Sequence, residues 1–299
     1  MNVHTPIIPA GDTSEGKRGV RRAFLTLPDG NRIAYTETGD GPPVVLVHGS
    51  LMTLEDLWLP LGPSLAARHR LLAFDRPGHG LSTRRRLVDA SPWRQAEMLR
   101  EALDHLGVER PVIVGHSFGA TISLCLALAH PDSVSGVLAL APLCFPEPRL
   151  EQALFGFRAL PGAGDTLARL LSGALDPVLL PILWRMIFLP QAVPHDFARR
   201  FPWQRASGAE RMIAEGEDAM SVGLALVRAI AAYGSCRVPV QILGGSADIV
   251  VNNALHGALA AMMMPGARFS WIHGAGHMIH HFHQPRIALE VDALGRPQA

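Results

Sequence analysis

The run Gly115-His116-Ser117-Phe118-Gly119 sets a serine between glycines two residues before and two after it. It follows an apolar stretch, Pro111 to Val114, and leads into a second apolar segment with helical spacing. Where a strand turns sharply into a helix at Gly-x-Ser-x-Gly, the glycines permit a backbone course that side chains would block, and the hydroxyl is lifted clear of the sheet. The same turn aims the first helix amides at the space in front of the serine. A hydroxyl is a poor nucleophile until a base removes its proton, so this site calls for a histidine and for a carboxylate to orient it. The chain has 14 histidines, too many to choose by count.

Position narrows the choice. His277, in Gly274-Ala275-Gly276-His277-Met278, follows the strand-like segment Arg268 to Ile272, and Asp248, in Gly244-Gly245-Ser246-Ala247-Asp248, follows Val240 to Leu243. Both fall at carboxyl ends of expected parallel strands, the rim that also carries Ser117. The order Ser, Asp, His is the order that accompanies this elbow motif. Glu147, which follows the strand Val134 to Leu140, is an alternative acid. An oxyanion needs two amides, and His48-Gly49-Ser50-Leu51 after the strand Pro43 to Val47 offers Ser50 N–H to meet Phe118 N–H, with Gly49 letting the chain pass close to the substrate. His48 reads as a packed, hydrogen-bonded structural residue.

The elements that position these residues alternate. Arg22 to Leu27 and Arg32 to Thr38 flank Pro28-Asp29-Gly30-Asn31, a hairpin signal. Short, continuously apolar runs at 43–47, 71–74, 112–114, 134–140 and 240–243, with a weaker one at 268–272, read as strands covered on both faces. Amphipathic segments at 93–106, 120–130 and 253–263 lie between them, so the fold class is α/β, a mostly parallel central sheet with helices on both faces. From 142 to 234 there is no strand signal, only helical pattern crowded with residues such as Leu150, Phe157, Leu170, Trp184 and Phe188. An insertion of that length after the sixth strand reads as a helical cap, because a crossover needs far less chain. The expected organisation is a flexible tail at 1–21, a core of 22–141 plus 235–299, and a cap at 142–234.

The 299 residues are 48% hydrophobic and 18% charged, with 27 Lys+Arg against 26 Asp+Glu. That composition excludes disorder as the main state and leaves no electrostatic footprint for nucleic acid or an anionic membrane. Arg84-Arg85-Arg86 reads as a solvated loop. Cys125, Cys144 and Cys236 sit in apolar stretches and read as buried thiols, not as a disulfide framework or zinc site. No signal peptide and no run of 18 apolar residues is evident, so cytoplasmic location without stable membrane insertion is expected; the sequence does not address oligomeric state. His277, His280, His281 and His283 crowd together, but without a carboxylate at matching spacing the expectation is one catalytic histidine, three helix-start residues and no metal.

Four blocks together resemble the α/β-hydrolase fold superfamily, the group of epoxide hydrolases, haloalkane dehalogenases, cofactor-free haloperoxidases and carboxylesterases: 45–49, 74–82, 115–119 and 274–277. The resemblance runs from about Phe24 to Ala293. It implies Ser117 as nucleophile, His277 as base and Asp248, whose loop matches the group's pattern, as orienting acid, with the Ser50 and Phe118 amides as oxyanion hole. The Asp75 block is structural in that group. Epoxide hydrolases and haloalkane dehalogenases attack with a carboxylate, and epoxide opening also uses cap tyrosines; this chain has Ser117 at the nucleophile position and only Tyr35 and Tyr233. The reading is therefore a cofactor-free serine hydrolase of the Ser-His-Asp carboxylesterase/haloperoxidase-like branch, cleaving carboxylic esters with apolar acyl or alcohol groups. Trp184 and Phe188 are candidate substrate contacts, and the partner is a small apolar ester-like molecule rather than nucleic acid. The same triad could instead serve lactone, thioester or carbon–carbon bond hydrolysis or haloperoxidase chemistry, and a non-catalytic binding member of the fold is the remaining alternative.

Overall fold

The Leu27 amide donates to the Asn31 carbonyl at 2.8 Å, and Gly30 closes this first turn at a φ of +87°, where a side chain would be strained. The computed structural model describes residues 20–296 and so opens with β1 (Ala23–Thr26) antiparallel to β2 (Arg32–Thr38). The expected flexible tail lies outside the described residues except for its last two positions. The chain continues through β3 (Pro43–Val47), α1 (Glu55–Leu65), β4 (Arg70–Phe74), α2 (Pro92–His105), β5 (Val112–His116), α3 (Phe118–Ala129) and β6 (Gly136–Leu140). After a helical insertion come β7 (Val240–Gly245), a π-helical segment at 254–259 running into α9 (Ala260–Met263), β8 (Arg268–Ile272) and α10 (Gln284–Leu294).

One eight-stranded sheet has the order β1-β2-β4-β3-β5-β6-β7-β8. From β4 to β8 every pairing is parallel, with Val47 opposite Gly115, His116 opposite Leu140 and Gly245 opposite Ile272. That register brings the carboxyl ends of β3, β5, β7 and β8 to one rim. Side chains of successive residues point to opposite faces, so Val45 and Val47 join a core with α2 and α3, while Val44 and Leu46 join another with α1 and α10. Helix α1 escaped the sequence reading. Its interior Pro60 and Pro63 cost amide hydrogen bonds, but Leu57, Leu61 and Leu65 are fully buried, and that packing holds the helix. The thiols of Cys125, Cys144 and Cys236 are all buried and free, and burial pushes Cys144 up to about 12.

Between β6 and β7 the chain forms helices and loops with no strand: α4 (Leu150–Phe155), α5 (Ala163–Ala174), α6 (Asp176–Phe188), α7 (His195–Arg200) and α8 (Ala209–Tyr233). Its inner side forms a separate apolar cluster of Phe155, Leu180, Leu183, Trp184, Phe188 and Phe197, closed below by Leu51, Met52 and Met278 from the two rim loops. Several apolar residues counted as crowding this insertion face outward instead, among them Leu150, Phe157 and Leu170. The last half of α8 leaves that cluster and packs Val222, Ala225, Leu226 and Tyr233 into the core against the sheet.

The arginine run corrects a sequence expectation. Arg85 is half exposed, but Arg84 is buried between Asp218 (2.5 Å) and Glu217 (2.7 Å) of α8, and Arg86 reaches Glu217 (2.7 Å) and Asp165. Asp218 also takes Arg76 (2.7 Å) and His79 (3.0 Å). Two carboxylates of α8 supply the countercharge that lets these guanidinium groups leave water. This network ties the loop after β4 to the insertion.

Candidate active site

Ser117 stands between the last residue of β5 and the first of α3, with φ +52° and ψ −119°. A residue bearing a Cβ takes that conformation only when its surroundings enforce it. Here the Ser117 amide donates to the Leu140 carbonyl at 2.9 Å, and the flanking glycines have no room for a side chain. A Cβ on Gly119 would lie 2.2 Å from the Val47 carbonyl oxygen, and one on Gly115 would lie 2.5 Å from the Ala120 Cα. Gly49 passes the same spot from the other side, where a Cβ would be 3.2 Å from that of Ser117. The sequence signal at these glycines thus has a packing cause at each one.

His277 lies in the loop after β8 and Asp248 in the loop after β7. The His277 Nδ1 donates to Asp248 Oδ2 at 2.9 Å, and Asp248 also accepts the Val250 amide (2.8 Å), the Val251 amide (3.0 Å) and Asn253 Nδ2 (3.0 Å). Burial alone would raise this carboxyl; the His277 imidazole and the two amides outweigh it and hold Asp248 at about 2. It is a carboxylate at neutral pH, so it accepts the hydrogen bond from Nδ1. Glu147, the other candidate acid, lines the same cleft as Asp248 but is engaged by His256 (2.9 Å) and Arg149 (3.0 Å). The insertion helps set the histidine loop: Gln191 accepts from the Gly276 amide at 2.9 Å and donates to the Gly274 carbonyl at 2.7 Å. Nothing in the sequence pattern singles out Gln191.

The loop after β3 carries Ser50, half-buried beside Leu51. Phe118 is the first residue of α3, so its amide has no acceptor within the helix, as an oxyanion donor requires. The peptide after Ser50 is held from above. Leu51, at φ +59°, donates its amide to Glu215 of α8 and accepts Trp184 Nε1 of α6 at 3.1 Å. Trp184 is therefore a clamp on this loop, and Phe188 is buried against Phe197 and His281. Burial pushes the Glu215 carboxyl up to about 7, against the pull of Arg76. Beneath, His48 Nε2 lies 3.0 Å from the Arg76 amide, a group that can only donate, so His48 Nδ1 is the proton-bearing atom and donates to the Gly49 carbonyl at 2.8 Å. Burial, with Arg76 nearby, holds its pKa well below the usual histidine range, which makes His48 a neutral strut.

Behind the site four imidazoles touch in sequence, His277–His116–His280–His281, tilted to one another with ring centres 4.6, 4.5 and 4.4 Å apart. His280 and His281 are not simple helix-start residues. Each places Nε2 on Oδ1 of the buried Asp56, at 2.9 and 3.0 Å, and His116 Nε2 meets the His277 carbonyl at 3.2 Å. Among the described residues Asp56, His116 and His280 are the grouping with metal-ligand chemistry, their ligand atoms all within 4.8 Å of one another. The carboxylate that sequence spacing lacked comes from α1, 224 residues from His280. Two imidazole donors on one carboxylate oxygen make this first a hydrogen-bonded hub that pins the His277 loop to α1.

The chain matches the alpha/beta hydrolase fold family over residues 42–284. The chain belongs to the α/β-hydrolase fold family. An uncharacterized protein of Mycobacterium tuberculosis is 27% identical over 268 residues, covering 84% of this chain and 74% of that one. A protein named haloalkane dehalogenase 2, also of Mycobacterium tuberculosis, is 31% identical over 163 residues, covering 54% of this chain and 52% of its own. Among solved structures, a putative aryl esterase from Burkholderia cenocepacia superimposes with a TM-score of 0.71 at 21% identity, covering 92% of this chain and 98% of that one, a likeness of fold. For this α/β-hydrolase the family and its named relatives support hydrolysis as the chemistry.

Proposed function

We propose that this α/β-hydrolase cleaves carboxylic esters with apolar acyl or alcohol groups through an acyl-enzyme on Ser117. The observation that carries the reading is a strained, glycine-flanked serine on the rim that also carries a histidine whose Nδ1 lies 2.9 Å from a carboxylate. In this scheme Nε2 of His277 takes the Ser117 proton as Oγ attacks the ester carbonyl. The tetrahedral oxyanion accepts from the Ser50 and Phe118 amides, the alcohol leaves with the proton from His277, and water activated by the same imidazole releases the acid. No step needs a cofactor.

A serine at the elbow argues against the dehalogenase activity for which one relative is named, since displacement of halide by an attacking carboxylate has no carboxylate here. We read residues 142–234 as a cap over the rim, because its apolar cluster closes on Leu51 beside the oxyanion loop and on Met278 beside the base. The test is hydrolysis of p-nitrophenyl acetate, butyrate and octanoate by wild type and Ser117→Ala. Turnover by wild type that drops by about 10³-fold or more in the variant is expected. Equal rates in the two proteins, or a folded wild type inert on all three esters, would overturn the reading.

A further inference from the structure

Helix α6 has two apolar faces. Leu180, Leu183, Trp184 and Phe188 point inward, while Leu175, Val178, Ile182, Met186 and Leu189 are exposed. At 100° per residue Val178, Ile182 and Met186 fall within an arc of about 80°, an outer stripe with Leu175 and Leu189 at the two helix ends. With Leu170 of α5 they are each between 38% and 67% exposed, in a segment where a solvated helix face would be polar. Among the described residues no single helix is long and apolar enough to cross a membrane; α5 and α6 together reach that apolarity but bend by 80° between them. At 12 and 13 residues each is too short to span a bilayer, whereas a bent pair can lie along its surface.

Charge selects the occupant. The segment 163–189 contains four charged residues, Asp165, Arg169, Asp176 and Arg185. Both carboxylates are already neutralised, Asp165 by Arg86 and Asp176 by the buried Arg158 at 2.7 Å. Arg169 and Arg185 have no ion-pair partner among the described residues, and Arg185 flanks the stripe one turn beyond Pro181. An apolar stripe edged by cations only is complementary to an anionic lipid surface. A second copy of the chain fits it worse, because a two-fold contact would lay the stripe on itself with no acid to meet either arginine. The stripe also ends at the candidate active site: the Leu189 carbonyl is where a Cβ on Gly276, the residue before His277, would collide at 2.0 Å.

We propose that the outer face of the α5–α6 hairpin docks on an anionic lipid surface, with the stripe buried among headgroups and Arg169 and Arg185 on the phosphates. The test is co-sedimentation of the full chain with sucrose-loaded vesicles of phosphatidylcholine alone or mixed equally with phosphatidylglycerol. Wild type should pellet with the mixed vesicles, and its partitioning should weaken as salt screens the arginines. The triple substitution Val178→Ser, Ile182→Ser, Met186→Ser changes only exposed positions, so its thermal melt should match wild type while partitioning falls at least tenfold. Arg169→Glu with Arg185→Glu should abolish the preference for mixed vesicles. The inference is overturned if wild type stays in the supernatant, if the triple variant pellets as wild type does, or if wild type instead forms a dimer that the triple variant dissolves. The readout is binding, so it stands or falls separately from ester hydrolysis.

Discussion

In the proposed mechanism Asp248 acts through one hydrogen bond, and its removal separates geometry from tautomer. In Asp248→Asn the side chain keeps its shape, but an amide that donates to His277 turns the imidazole to the wrong tautomer for taking a proton at Nε2. The account predicts a fall in kcat of about 10⁴-fold with KM little changed, measured by steady-state ester hydrolysis. The elbow glycines make a different prediction. Gly119→Ala places a Cβ against two backbone carbonyls, which cannot swing aside, so it should destabilise the fold by about 3 kcal/mol or more in urea unfolding. The residues behind both predictions were legible in the sequence because the motif is local: strand, glycines, serine and helix lie within ten residues, and Asp248 and His277 follow their own strands directly. Gln191, Asp56 and Glu215 left no such trace. Glu215 meets Leu51 across 164 residues of chain, and only the folded path brings them together.

At the scale of elements, α8 couples the insertion to the core through buried carboxylates, and two substitutions there have opposite signs. Asp218 neutralises Arg76 and Arg84, and those positive charges, with burial opposing them, hold its own pKa below the ordinary carboxylate range. Asp218→Ala leaves both guanidinium groups buried without that charge and should cost about 3–5 kcal/mol, read from chemical denaturation. Glu215 works in reverse. Burial raises its pKa from the ordinary value of 4.5 to about 7, so between those values the native state holds a proton that the unfolded chain has released. Stability from this group therefore falls as pH rises from about 4.5 to 7 and is lowest above that window. Glu215→Gln keeps an oxygen for the Leu51 amide and removes that penalty. It should melt several degrees above wild type at pH 8 and together with it at pH 4.5; equal melting at both pH values would contradict the assignment. The arginine run was misread from sequence for the same reason that Glu215 was missed, since nothing local announces that α8 covers it.

For the whole molecule, apolar runs and their alternation with helices predicted every strand of the parallel sheet, and β3 and β8 to the residue. Burial on both faces produces the apolar runs of the inner strands, whereas β8, at the sheet edge and partly exposed, carries the weaker signal. Helix α1 was lost because its prolines erase the local signal while its stability comes from packing against β3 and β4. The insertion was recognised by its length and its lack of strands, but its apolar residues were read as one set. They divide into an inner cluster that closes on the rim loops and an outer stripe on α6, and hydrophobicity alone does not tell the two faces apart.

In the proposed reaction Ser117 forms a covalent acyl intermediate. The most direct test is peptide mass spectrometry after brief treatment with an alkyl fluorophosphonate, a reagent that captures activated serines. The account predicts one stoichiometric adduct, on the peptide bearing Ser117, that is absent from Ser117→Ala and slowed strongly in Asp248→Asn. An unmodified Ser117 in folded protein, or an adduct that persists in Ser117→Ala, would contradict it.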